Sequence, residues 1–308
     1  MYPDKRPDMA RADLKAALGS GLVILDGAMG TQLFARGAEA GICNDCLNIR
    51  SPEMVKAVHA DYIEAGSDAI LTNTFGGNKF ALTRHGHGKQ ITEINAAAVK
   101  LAREVAGDDH YVLGDIGPTG DFLEPLGLLK PKEVKEAFSV QARVLVDGGV
   151  DGLIVESMTA LDEVELAVET AKDAAGKLPV LASMSFETAR DNFKTMMGVD
   201  VKSFMSAVIP LGVDAIGFNC GKMPLDGYVG LAGLFAVQLK AMGSDIKLLA
   251  EPNAGIPEII DGRTVYKVTP KSFTAAIAKI RDSGFTVLGG CCGTGPRYIK
   301  AITRILRK

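Results

Sequence analysis

The 308-residue chain is 47% hydrophobic and 23% charged, with a formal net charge of −3. It can bury a core the size of one barrel or one doubly wound domain, and it lacks the basic stripe that a nucleic-acid partner requires. Its four histidines argue against a multi-histidine metal centre, and no run of about 18 apolar residues is present to span a bilayer.

Residues 1–21 read as an N-terminal segment with a short helix, and residues 22–308 as one barrel domain. Met1-Tyr2-Pro3-Asp4-Lys5-Arg6 is not followed by an apolar run, so no secretory leader is expected and a cytoplasmic location is. The first apolar run, Leu22-Val23-Ile24-Leu25, ends in Asp26. A helix follows from Ser51 to Gly66, with Ser51 as N-cap and Pro52 at the first helical position. Ala69-Ile70-Leu71 ends in Thr72-Asn73-Thr74, ahead of a helix over 90–106. Tyr111-Val112-Leu113 leads to Asp115 and a helix over 131–148. Leu153-Ile154-Val155 leads to Glu156 and a helix over 160–175, on which Glu163 is expected at the surface. Val180-Leu181-Ala182 leads to Ser183 and Ser185, then a helix over 199–212. Ala215-Ile216-Gly217-Phe218 ends in Asn219-Cys220, before a helix over 228–242. Leu248-Leu249-Ala250 ends in Glu251-Pro252-Asn253, before a helix over 270–283. Thr286-Val287-Leu288 runs into Gly289-Gly290-Cys291-Cys292, and a last helix covers 296–307.

Each apolar run is short and nearly continuous, as a parallel strand covered on both faces must be. Several helices end in a glycine followed at once by the next strand, at Gly66, Gly149, Gly212 and Gly284. Glycine enters the left-handed region there without a Cβ clash. Eight such strand–helix pairs predict an α/β fold, a (β/α)8 TIM barrel. An open doubly wound sheet is the alternative, and it lacks a G-x-G-x-x-G after the first strand. Barrel active sites lie at the C-terminal strand ends, which here are rich in polar residues.

Five cysteines are present. Cytoplasmic thiols stay reduced, so ligands or nucleophiles are expected rather than disulfides. Cys220 ends the sixth strand and the Cys291-Cys292 pair ends the eighth, so a barrel brings all three to one mouth. Three thiolates leave a fourth tetrahedral position open, the layout of a catalytic zinc rather than a structural one. Flanking glycines allow two adjacent side chains to face one ion. The alternative is that each is a small buried hydrophobe. Cys43-x-x-Cys46 also has ligand spacing and could join Cys291 and Cys292 in a closed four-thiolate site. It lies in the first strand–helix loop without a second knuckle, so loop packing is the expectation for Cys43 and Cys46. An open thiolate zinc would deprotonate a substrate thiol, whose free pKa is about 8.5, and leave a nucleophile at neutral pH. Thiol alkylation fits such a centre better than hydrolysis.

Asp26-Gly27-Ala28-Met29-Gly30-Thr31, Gly217-Phe218-Asn219-Cys220 and Gly289-Gly290-Cys291-Cys292-Gly293-Thr294 resemble the homocysteine S-methyltransferase family, over Leu22 to about Ile305. The resemblance implies a zinc-dependent (β/α)8 barrel with Cys220, Cys291 and Cys292 as both metal ligands and catalytic residues. It implies that Asp26 lies near homocysteine and that Glu156 contacts its amino group. Gly27-Ala28 stands where Gly-Gly is commoner, and Ser157 follows Glu156 where threonine is common. Thr72, Asn73, Asn219 and Asn253 are further candidate substrate contacts. Their structural alternative is hydrogen bonding to loop backbone, and for Asn219 orientation of the cysteine loop. The stretches 65–76 and 251–257, the latter with 264–266, look most like the homocysteine module of cobalamin-dependent methionine synthase.

The expected reaction is therefore methyl transfer to homocysteine, giving methionine. The expected donor is methylcobalamin supplied in trans by a corrinoid protein, with a folate-binding methyltransferase subunit as a further partner. Betaine or S-methylmethionine is the alternative donor. A cationic donor would need an aromatic cage, and the chain has no tryptophan and six scattered tyrosines. A zinc- or thiol-binding subunit without turnover of its own is the reading from another class. A carbonyl enzyme would need a lysine at a strand end, and none is found there.

Overall fold

A computed structural model describes residues 11–39, 41–189, 192–260 and 263–307; the expectation for residues 1–10 lies outside them. Eight parallel strands form one sheet: β1 (Val23–Ile24), β2 (Ala69–Leu71), β3 (Tyr111–Ile116), β4 (Gly152–Met158), β5 (Val180–Met184), β6 (Ala215–Cys220), β7 (Lys247–Pro252) and β8 (Phe285–Leu288). Their order around the sheet is β1-β8-β7-β6-β5-β4-β3-β2, as a barrel requires. The helices that follow the strands are α1 (Pro52–Ala65), α2 (Ile91–Ala106), α3 (Pro131–Asp147), α4 (Leu161–Ala175), α5 (Val201–Val208), α6 (Leu225–Met242), α7 (Pro270–Asp282) and α8 (Pro296–Leu306). The expected α/β barrel and all eight strand–helix pairs are present.

The strands are apolar on both faces because each face meets a different core. Val23, Leu25, Leu113, Ile154, Leu181, Leu249 and Val287 fill the barrel interior. The alternate residues Ile24, Val112, Leu153, Val155, Ile216 and Leu288 pack beneath the helices. Side chains alternate across a strand, so neighbouring residues must both be hydrophobic. A short helix, Leu14–Ser20, is started by Asp13, whose side chain accepts from Ala16 N–H at 2.8 Å. Its Leu14 and Leu18 join the interior cluster. Tyr111 at the start of β3 donates its hydroxyl proton to Ala12 O at 2.7 Å. The helix thus stoppers the N-terminal end of the barrel and leaves the C-terminal end as the mouth.

Among the described residues β1 and β2 share no strand ladder, and side chains bridge this seam. Asp68 N–H donates to Ile24 O at 2.7 Å while its carboxylate accepts from Ile24 N–H at 2.8 Å. The same device recurs where Asp151 meets Val112 and where Asp214 meets Val180. The Gly-x-Asp segments read as helix ends therefore have a second use: the aspartate holds the start of the preceding strand. Arg307, the pair Arg11 and Arg103, and the pair Lys15 and Lys172 neutralise these three acids in turn.

The structure adds to the expected elements. Short helices Met29–Ala35 and Leu47–Arg50 occupy the first strand–helix loop, and Lys79–Arg84 the second. Two-stranded hairpins follow β5 (Glu187–Ala189 with Asn192–Lys194) and β7 (Glu258–Ile260 with Arg263–Val265). Pro52 is at the start of α1, but Ser51 makes no side-chain cap bond. Glu163, expected at the surface, is 3% exposed. Its carboxylate accepts from Thr119 N–H at 2.8 Å and from the Thr119 hydroxyl, tying the loop after β3 to α4. The position shares the buried face of the helix with Ala167 and Thr170, and the loop folded over it supplies the donors.

His59 on α1 is wholly buried and neither ring nitrogen has a partner. Burial pushes its pKa down to about 4. The unfolded chain, with a histidine pKa near 6.5, then takes up a proton that the folded chain refuses. Stability from this group falls as pH drops from about 6.5 toward 4, by about 3 kcal/mol over the whole window. His59→Leu is expected to remove that slope. Melting temperatures of both proteins between pH 7 and pH 5 should converge at neither end if His59 is silent, and should separate progressively in acid if it is the proton acceptor.

Candidate active site

Cys220 is the last residue of β6 and sits in the left-handed region at φ 53°, followed by Gly221 at φ 82°. Such a conformation is uncommon for a residue with a Cβ and is held here by its surroundings. Tyr228 donates its hydroxyl proton to Cys220 O at 2.7 Å, and Asn253 Nδ2 donates to Gly221 O at 2.7 Å. The turn aims Cys220 at the loop that follows β8. That loop is pinned on both sides: Gly290 N–H donates to Asp26 O at 3.0 Å, Cys291 N–H to Pro252 O at 3.0 Å, and Ala254 N–H to Cys292 O at 2.9 Å. Ala28 N–H donates to Thr294 O at 3.0 Å, and Tyr62 clamps Ala28 O and Thr294 O with one hydroxyl. The three motifs quoted from the sequence are therefore neighbours in one interlocked rim.

The sulfurs of Cys220 and Cys292 lie 4.0 Å apart, and those of Cys220, Cys291 and Cys292 all lie within 4.8 Å of one another. Three sulfurs on a tetrahedral zinc at about 2.3 Å would be separated by about 3.8 Å. The donor set therefore fits zinc after a contraction of about 0.2 Å on the Cys220–Cys292 edge and of no more than about 1 Å on the others. The Cys292 thiol is pulled well down by hydrogen bonds from Cys220 first and Cys291 second, and the Cys291 thiol is pushed up by its contacts with Cys220 first and Cys292 second. Cys43 and Cys46 are elsewhere, buried with Leu82 and Ile94, as packing residues. Burial pushes the Cys43 thiol up to about 12, which leaves it inert at neutral pH.

Beside the thiols is a cavity of about 70 Å3 lined by Asp26, Leu71, Asp115, Glu156, Glu251 and Cys291 among others. The lining includes no lysine, arginine, histidine or aromatic ring. Asp26 accepts from Leu71 N–H at 3.0 Å, so one of its oxygens also helps to close the β1–β2 seam. Burial raises its carboxyl pKa, partly offset by the Leu71 N–H. Burial, and then the charge at Cys220, raise Glu156 to about 8. Asn219 is fully buried between these groups. Its amide donates to Glu156 at 3.0 Å and to Ser157 Oγ at 2.7 Å, and its oxygen accepts from Ser157 N–H and from Ser183 Oγ, both at 2.8 Å.

The other candidates are also placed at the mouth with their partners within the protein. Thr72 Oγ1 accepts from Asp115 N–H at 3.0 Å and bonds Thr74 Oγ1 at 2.6 Å. Asn73 donates to Asn44 O at 2.8 Å and to Asn48 Oδ1 at 3.1 Å, fastening the second loop to the first. Asn253 lies 3.7 Å from Cys220 Sγ, and its Oδ1 has no partner. Sequence reasoning placed Asp115 and Glu251 at strand ends without giving them a role. The signal was their position: an acid at the C-terminal end of a barrel strand faces the mouth.

Comparison with known proteins bears on the whole chain. The homocysteine S-methyltransferase family model matches residues 23–306. The methionine synthases of Mycobacterium tuberculosis and Mycobacterium leprae are each 33% identical over 309 residues, covering 94% of this chain and 25% of theirs. The chain thus spans about a quarter of the length of these relatives. Among solved structures, the metallated form of the homocysteine methyltransferase MmuM from Escherichia coli is 21% identical with a TM-score of 0.77, covering 95% of this chain and 99% of that one. That likeness supports the barrel, and among the described residues no helix is long and apolar enough to cross a membrane. With its barrel, its three motifs and a match that runs from the first strand to the last helix, the chain belongs to the homocysteine S-methyltransferase family.

Proposed function

We propose that this protein is a zinc-dependent homocysteine S-methyltransferase that forms methionine, with Cys220, Cys291 and Cys292 holding the metal. The observation that carries the reading is three sulfurs within 4.8 Å of one another at the edge of a buried carboxylate cavity. Zinc, when bound, supplies the Lewis acidity that keeps an acceptor thiol deprotonated at neutral pH. The chain's own residues do the rest. Asp26 and Glu156 accept hydrogen bonds from the amino group, and Asn219 holds the Glu156 carboxylate in place. Orientation of this kind can supply much of a bimolecular barrier. Thr72, Asn73 and Asn253 act by fixing the loops that frame the mouth. A reducing, cytoplasmic setting keeps the three thiols available.

The donor we favour is methylcobalamin on a corrinoid module or protein, working with a folate-dependent methyltransferase. The resemblance of stretches 65–76, 251–257 and 264–266 to cobalamin-dependent methionine synthase supports it, as does 33% identity to methionine synthases. The cavity lining offers no aromatic cage to a quaternary ammonium. The test is methionine formation by the zinc-loaded protein with homocysteine and, separately, free methylcobalamin, betaine or S-methylmethionine. Turnover with methylcobalamin alone is expected. Turnover with betaine or S-methylmethionine instead would replace the corrinoid donor, and thiol binding with no turnover on any donor would leave a binding subunit.

A further inference from the structure

Two acids at the cavity have no partner that explains them. Asp115 is 5% exposed and Glu251 2%, and both line the cavity with Asp26 and Glu156. Oδ1 of Asp115 and Oε2 of Glu251 each lack a hydrogen-bond partner. A buried carboxylate oxygen with nothing to accept from is costly, so two at one place need an external donor to justify them. Both acids stand on rigid backbone. Asp115 lies in β3, its N–H donating to Thr72 Oγ1 at 3.0 Å and its carbonyl accepting from Thr74 Oγ1 at 2.7 Å. Glu251 lies in β7, in register with Asn219.

The ligand must bring the positive charge, because the cavity lining has none. A metal ion suits the carboxylates poorly. Among the described residues only the three cysteines bring three ligand atoms within 4.8 Å of one another, so the acids are spread around the wall rather than gathered at a point. A primary ammonium is the better complement: its three N–H donors diverge and reach separate acceptors. Asp26 and Glu156 already accept from Leu71 N–H and from the Asn219 amide, so part of their capacity is committed. Burial first, and then the neighbouring acids, also push the Asp115 and Glu251 carboxyls up, as expected of a pocket waiting for a cation.

The geometry points to Asp115 and Glu251 as two further acceptors for the ammonium group of the acceptor amino acid, making the site selective for thiols that carry a free primary amine. This inference rests on the homocysteine reading and deepens it. Without these two acids the pocket would still receive the sulfur, but its hold on the amine would fall to what Asp26 and Glu156 supply. The residues are specificity determinants, distinct from the thiolate centre.

The experiment measures binding of homocysteine and of 4-mercaptobutanoate, the same thiol without the amine, to the zinc-loaded protein by calorimetry. The unaltered protein is expected to prefer homocysteine by at least about 100-fold. Asp115→Asn and Glu251→Gln are each expected to weaken homocysteine by at least about tenfold and to leave 4-mercaptobutanoate within about twofold. A variant qualifies if it keeps its zinc and its melting temperature, and Asp115→Ser and Glu251→Ala stand in for one that does not. Equal binding of the two thiols by the unaltered protein would overturn the inference, together with the amine contacts given to Asp26 and Glu156, while leaving thiol methylation at the cysteine centre in place. A double variant that keeps the wild-type preference, or one that loses both thiols equally, would overturn the inference alone. Failure of the unaltered protein to bind either thiol would remove the homocysteine reading and this inference with it.

Discussion

Replacing Cys292 with alanine is expected to lower bound zinc by at least about tenfold and methionine formation by more than about 100-fold. The sulfur 4.0 Å from Cys220 is lost, and two thiols remain where three stood. Loss of a group that merely hydrogen-bonds a metal ligand weakens metal sites by about 10–100-fold, so removal of a ligand itself sets a lower bound near the start of that range. Without zinc an acceptor thiol of pKa about 8.5 is only a few per cent ionised at pH 7, which by itself takes away about 30-fold. Loss of the sulfur's fixed position removes more. Cys220→Ala and Cys291→Ala should behave alike, and stripping the unaltered protein with a chelator should reproduce them. Cys43→Ala and Cys46→Ala should keep their zinc, because both thiols belong to the separate cluster with Leu82 and Ile94. Metal analysis of the five proteins decides the matter: a full equivalent retained in the Cys220, Cys291 and Cys292 variants would end the zinc assignment.

Gly217→Ala is expected to destabilise the protein by more than about 4 kcal/mol, seen as a melting temperature lowered by about 10 °C or more, or as insoluble protein. Gly217 pairs with Leu249 across β6 and β7. A Cβ added at this position would overlap Leu249 O and lie 2.6 Å from Leu249 C and 2.9 Å from Leu249 N. These are backbone atoms of a buried strand, so no side chain can swing away to make room. Relief requires β6 to move off β7, two residues before Asn219 and three before Cys220. Any soluble fraction should therefore also bind zinc less well. A variant that melts like the unaltered protein would show that the two strands are not packed at this distance.

The alternation of short apolar runs with amphipathic stretches was legible in the sequence because it records local burial. Each barrel strand faces one core with Ile24-type residues and another with Leu25-type residues, so it has to read as continuous apolar sequence. The helix ends were legible at Gly66, Gly149, Gly212 and Gly284, all of which have positive φ, because only glycine enters that region freely. The hairpins after β5 and β7 were not legible. Each is a pair of three-residue strands, too short for a period to show, and the first strand of the one after β7 is exposed, so no burial pattern marks it. Glu163 was misplaced because its charge suggested solvent: by helical period it shares the buried face with Ala167 and Thr170, and Thr119, 44 residues away in sequence, supplies the donors that let an acid sit there.

The sequence by itself determined the eight strand–helix pairs, the order of the three cysteines after the sixth and eighth strands, and the acids at the strand ends. These are one-dimensional facts about period and position, and the chain's local chemistry is enough to state them. The distances were decided only by the tertiary structure. Closing the sheet brought Cys220 to within 4.0 Å of Cys292 and set Asp115 and Glu251 around the same cavity as Asp26 and Glu156. Separations between residues about 70 positions apart depend on strand tilt, register and the stitched β1–β2 seam, which are fixed jointly by every strand and cannot be read from any one of them.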